Sequence, residues 1–141
     1  MRLIRCQRGS SAVEFAMIVL PLMLLLFGGI EVGRLMWMRN ALQQTSMATA
    51  RCMALRQTAC ATGGALDVAK SVLYARRRAA GYSVSIPASA VVANGNASCS
   101  AQSNFAVVKI TGVFTTGVPL LRQALGTGSN VITRGCFPNQ S

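Results

Sequence analysis

The sequence predicts an α+β fold, with one very long N-terminal helix, a second helix, and a small antiparallel sheet of about three strands. Three observations predict it. An apolar run from Ala12 to Met38 passes into a helical pattern that continues to Leu55. A second amphipathic pattern follows Gly63-Gly64 and stops at Gly81. Beyond it come short alternating runs separated by Gly, Pro, Asn and Ser, which read as strands. Helices followed by an antiparallel sheet make an α+β domain.

The apolar run comes first. Phe15 to Ile30 carries no charge, and counting outward to Ala12 and Met38 gives enough length for a spanning helix of about 20 residues. A cleaved secretory signal has an apolar region of about 7 to 15 residues with small residues at the cut. The nearest such stretch here, Met47-Ala48-Thr49-Ala50, lies too far downstream. Residues 10–38 are therefore read as a helix in the lipid bilayer and residues 39–141 as an outer domain. Pro21 removes one backbone hydrogen bond inside the span and kinks or loosens it. Gly29 and Gly33, with Gly28 beside them, have the small-xxx-small spacing that lets helices approach closely.

Past the span, Leu35, Met38, Leu42, Thr45, Cys52 and Leu55 recur at helical spacing, and no proline interrupts from Leu22 to Leu55. One helix over residues 11–55 would be about 68 Å long at about 1.5 Å per residue. Leu66, Ala69, Leu73 and Ala80 give the second helix, with Gly81 expected as a left-handed cap. Arg76, Arg77 and Arg78 fall in its expected last turn, where each cation gains about 0.3 to 1 kcal/mol at best. Tyr82, Val84 and Ile86 alternate with serines up to Pro87 and read as a first strand. Phe105 to Thr115 reads as a second and Asn130 to Cys136 as a third, with a short turn of helix at Leu120, Leu121 and Leu125.

Net charge is +11, from 14 Lys plus Arg against Glu14, Glu31 and Asp67. Arg2, Arg5 and Arg8 precede the apolar run with no acid among them, which by the positive-inside rule leaves the N-terminus in the cytoplasm and the outer domain beyond the membrane. Four of the five cysteines, Cys52, Cys60, Cys99 and Cys136, then lie in an oxidising compartment and can form two bridges. Three pairings are open to four cysteines. Cys52 with Cys60, and Cys99 with Cys136, is favoured. A zinc site is disfavoured, since the chain has no His and no C-x-x-C. Catalysis is disfavoured on similar grounds: no His, a single outer acid, and no phosphate-binding loop after a strand. No cofactor is expected. The triplet Asn96-Ala97-Ser98 fits a glycosylation site and is assigned no role. With little aromatic interleaving among its basic residues, the outer domain gives no signal for specific nucleic-acid binding.

Glu14 stands at the mouth of the apolar helix. A carboxylate in hydrocarbon is costly and reads as functional by default. The order Arg8-Gly9, four residues, Glu14-Phe15, then an unbroken apolar helix resembles the class III signal of type IV pilins and pseudopilins. The longer stretch from Gly9 to Leu55 resembles the TadE-like pseudopilins of tight-adherence (Tad/Flp) pilus systems. Glu14-Phe15, Pro21, the exit from Gly29 to Arg34, the Asn40-Ala41-Leu42-Gln43 step and the small-residue helix ending in Ala50-Arg51 carry the likeness, over about a third of the chain.

The resemblance implies a cut by prepilin peptidase between Gly9 and Ser10. It would remove a basic leader of residues 1–9, with Cys6, and leave Ser10 as the new N-terminus. Glu14 would then meet a neighbouring subunit's terminal amine, a pairing of buried opposite charges that fixes register. Phe15 and a large C-terminal part favour a minor pseudopilin over a major Flp pilin. The implied partners are prepilin peptidase, other Tad/Flp pilins and pseudopilins, and the inner-membrane assembly platform. The implied location is the bacterial inner membrane, single-pass, with the outer domain periplasmic and incorporation into the pilus open. The alternative is an uncleaved single-span anchor whose basic outer domain binds something anionic.

Overall fold

The computed structural model of the chain describes residues 10–117 and 128–140. The leader residues Arg2, Arg5, Cys6, Arg8 and Gly9, and the expected turn at Leu120, Leu121 and Leu125, lie outside the described residues. The architecture is α+β: helix α1 (Ser10–Ala54), a two-residue hairpin of β1 (Ala61–Thr62) and β2 (Ala65–Leu66), helix α2 (Val68–Gly81), and strands β3 (Val91–Cys99), β4 (Gln102–Phe114) and β5 (Ser129–Pro138). The last three form an antiparallel sheet in the order β3-β4-β5. The chain divides into two compact units, Met1–Arg34 and Leu35–Ser141.

In the first unit α1 is apolar all round from Phe15 to Ile30, with Phe15, Ile18, Leu24 and Leu25 each more than two-thirds exposed. A helix hydrophobic on every side is suited to lipid or to the core of an assembly. In the second unit α1 becomes one-sided. Ala41 and Leu42, Thr45 and Ser46, Thr49 and Ala50, then Cys52 and Met53, make a buried stripe at one-turn intervals. The stripe is built mostly from small residues, so the helix backbone can lie close to the sheet. Ser46 meets Gly135 of β5, where an added Cβ would collide with the helix backbone itself. Gln43 Nε2 donates to the Arg134 carbonyl (3.2 Å) beside this contact. Trp37 Nε1 donates to the Tyr82 carbonyl (3.2 Å), and the Tyr82 hydroxyl to Gln44 Oε1 (2.9 Å), tying α1 to the turn after α2.

Helix α1 ends at Ala54, one residue short of the expected Leu55, and the chain turns away at Arg56 with φ 48°. Cys52 and Cys60 are bonded across this turn, with Cα atoms 5.9 Å apart. Gly63 (φ 59°) and Gly64 (φ 79°) form the bend between β1 and β2, two left-handed positions that glycine occupies at no steric cost.

Asp67 caps α2. Its carboxylate accepts from the Lys70 backbone N–H (3.0 Å) and from the Thr62 hydroxyl (2.8 Å). These bonds, the Lys70 amide first, hold its pKa below the ordinary carboxylate value. A depressed carboxylate stabilises the fold above its unfolded pKa, near 3.9, and loses that contribution as pH falls through the folded value. Asp67→Ala is therefore expected to lower the melting temperature by about 4 °C at neutral pH. The gap to the wild type should close in acid below the folded pKa, as thermal unfolding at neutral and acidic pH would show.

Two expectations at the end of α2 are corrected. Gly81 is the last helical residue, and the left-handed position is Ser83 (φ 61°). The amides of Ser83 and Val84 fold back onto the Ala80 and Ala79 carbonyls (2.9 and 3.0 Å), so the helix carbonyls are satisfied without a glycine. Of the three arginines, Arg78 lies in the last turn, and Arg76 Nε instead donates to the Ile86 carbonyl (3.2 Å). Tyr82 to Ile86 is not a strand. Its alternation arises because Val84 and Ile86 are buried while Ser83 and Ser85 face out, along a connection that pairs with no strand.

The first strand of the sheet is β3, whose register with β4 shifts on either side of Ala97. Gly95 lies close to the Leu66 side chain there. β4 and β5 pair without interruption from Phe105↔Pro138 to Phe114↔Ser129. Cys99 of β3 and Cys136 of β5, on the strands flanking β4, are bonded with Cα atoms 6.4 Å apart. Arg134 Nη2 donates to the Ser98 carbonyl (2.7 Å), a second link between the same strands.

Candidate functional site

The features singled out for function fall on the first unit of α1. Ser10 and Glu14 are one turn apart, the spacing that puts two helical positions on the same face. Glu14 and Phe15 are exposed and are followed by uncharged residues up to Ile30. Pro21 sits inside the helix. With no amide hydrogen there, the helix loses the bond that would reach the Met17 carbonyl. At Gly28, Gly29 and Gly33 an added Cβ would meet nothing within 4 Å, so this face is open. The apolar stretch has mean hydropathy 2.3 in its greasiest window, none of it buried, which makes α1 a candidate membrane anchor.

At the end of this unit Glu31 is 9% exposed, and Arg34 Nη1 reaches its two carboxylate oxygens at 3.2 and 3.4 Å. Sequence reasoning gave Glu31 no role. The signal was available, because Glu and Arg three apart on a helix are neighbours. The pair neutralises a carboxylate that would otherwise be expensive at the edge of an apolar segment.

The four cysteines assigned to bridges form the two disulfides already described. Among the described residues no group of three or more His, Cys, Asp or Glu side chains could hold a metal ion.

Compared with known families, residues 9–51 match a family model described as TadE-like protein. The likeness covers less than half of the chain. The match runs from Gly9 through the anchor and the small-residue stripe and ends at Arg51, just before Cys52. The matched segment contains the apolar part of α1 that is the candidate membrane anchor. Neither the curated proteins nor the solved structures gave a match. The α+β part beyond Arg51 is thus described by its own geometry.

Proposed function

We propose that this chain is a membrane-anchored minor pseudopilin, cut by prepilin peptidase between Gly9 and Ser10, that assists the initiation and assembly of a Tad/Flp pilus. The TadE-like match over residues 9–51 is the observation that carries the reading. In it, residues 1–9 are the leader, 10–38 the span and 39–141 the periplasmic domain. The basic leader keeps the N-terminus on the cytoplasmic side of the inner membrane, where the peptidase and the assembly platform act.

Cutting exposes an ammonium at Ser10. Glu14 supplies the matching carboxylate to a neighbouring subunit, and the two charges neutralise each other once the helices leave lipid for the assembly. Phe15 packs beside that pair. Pro21 loosens the helix for repacking, and the open face at Gly29 and Gly33 admits the helix of another pilin or pseudopilin. The peptide chemistry belongs to the peptidase, and this chain acts by position and charge.

Glu14→Ala is expected to leave the cut intact and to reduce pilus number at least about tenfold, because an uncompensated ammonium in an apolar bundle is strongly disfavoured. Counting pili by electron microscopy, with cleavage followed by protein mass, checks this. Normal piliation in the variant would remove Glu14 from the mechanism.

A further inference from the structure

Two clefts lie side by side on the outer domain and share Tyr74 of α2. The larger, 360 Å³, is walled by Met47 and Arg51 of α1, Tyr74 and Arg78 of α2, and Phe137 of β5. The smaller, 240 Å³, is walled by Lys70, Leu73, Tyr74 and Arg77. On α2 the residues Lys70, Leu73, Tyr74, Arg77 and Arg78 recur at three- and four-residue spacing, so they share the outward face of the helix. Ser71, Ala75 and Ala79 form the opposite, buried face.

We infer that this face is a docking surface for an acidic segment of a different polypeptide, one that sets carboxylates against Arg51, Arg77 and Arg78 and an apolar side chain beside Tyr74. Charge identifies the occupant. Among the described residues the guanidinium groups of Arg51, Arg77 and Arg78 make no hydrogen bond or ion pair, and Lys70 gives its ammonium to the Ala61 carbonyl. The chain has three acids in all. Asp67 is held at the cap of α2 by Lys70 and Thr62, Glu31 is buried against Arg34, and Glu14 lies at the start of the apolar helix. A second copy, with 14 Lys plus Arg against three acids, has no cluster of acids on its folded domain to offer and would bring like charges together. Apposed like charges are a strong bar to the wrong partner.

The shape favours a protein partner. Leu73 and Met47 are exposed at 43% and 45%, and with Phe137 they give the clefts apolar walls suited to inserted side chains, which a flat lipid surface does not provide. A nucleic-acid strand stacks on a series of aromatic faces, whereas the larger cleft offers two, Tyr74 and Phe137, and the smaller one only Tyr74. The inference goes beyond the pilus reading, since the surface exists whether or not the chain is cut at Gly9.

The test uses the full chain in its own host, with a photoreactive benzoylphenylalanine replacing Leu73, and sequences whatever peptide is captured. The expected product is a peptide of another protein with at least two Asp or Glu close together. Its yield should fall at least about tenfold when Arg51, Arg77 and Arg78 are all changed to Glu. The yield should hold in Lys109→Glu, which alters a charge on the exposed side of β4 away from the clefts. All these positions are exposed, so the variants should fold, and recovery of both disulfides checks that they do. Capture of lipid, of nucleic acid or of a second copy, capture of nothing, or a product insensitive to the triple charge reversal would each overturn the inference.

Discussion

Gly135→Ala is expected to destabilise the α+β unit by about 3 kcal/mol, lowering its melting temperature by about 15 °C. The added methyl would run into the backbone of Ser46 and Met47 on α1. Ser46 is fully buried and Leu42 and Ala50 flank it in the stripe, so the helix cannot step back without opening the core on both sides. Gly112→Ala is the contrast. There the new methyl meets the ends of the Leu42 and Met38 side chains, which can change rotamer, and the cost should be about 1 kcal/mol. Urea unfolding of the full chain in detergent, followed through its single tryptophan, Trp37, would measure both. Equal effects at the two glycines would show that the α1–β5 approach is not the constraint described.

The second large effect concerns the bridges. Cys99–Cys136 closes a loop of 37 residues and Cys52–Cys60 one of 8. Cross-linking removes entropy from the unfolded chain in proportion to the logarithm of loop length, which gives about 4 kcal/mol for the long loop and about 2.5 kcal/mol for the short one. The paired change Cys99→Ser with Cys136→Ser should therefore cost more than opening the short loop. It also leaves β3 attached to β5 by the Arg134 bond to the Ser98 carbonyl, an exposed contact of modest strength. The midpoints of the two bridge-deleted chains under the same denaturant check the order. A smaller loss from the long loop would contradict it.

The elements legible in the sequence are those whose side chains carry their own periodicity. α1 shows an uninterrupted apolar run and then a one-turn stripe. β4 and β5 are rich in β-branched residues, as in Val107-Val108-Lys109-Ile110-Thr111. The strand β3 was hidden because Asn94-Gly95-Asn96 reads as a turn. Asn94 and Ala97 pair with Val107 and Phe105 of β4 on either side of an irregularity at Gly95 and Asn96, and Gly95 leaves room for Leu66. The neighbouring run from Tyr82 to Ile86 misled for the opposite reason: its alternation records burial along an unpaired connection. Ser83 in the left-handed region is unusual for a residue with a side chain, so Gly81 was the natural but mistaken choice for the cap.

The candidate site divides along the same line. Gly9, Ser10, Glu14 and Phe15 are what the resemblance to a class III signal implies, and they are contiguous in sequence with the apolar helix that follows them. The clefts around Tyr74 draw on α1, α2 and β5, residues brought together by folding and by no local motif. Charge does point toward them, because residues 39–141 hold one acid, Asp67, and so leave most of their cations without a carboxylate of their own.

The most direct test of the account is the intact mass of the chain extracted from its own membranes, in cells with and without their prepilin peptidase. A chain beginning at Ser10 with the peptidase present, and at Met1 without it, is the predicted result. A chain that begins at Met1 in both would contradict the pseudopilin reading and reduce Glu14 to an acid at the membrane edge.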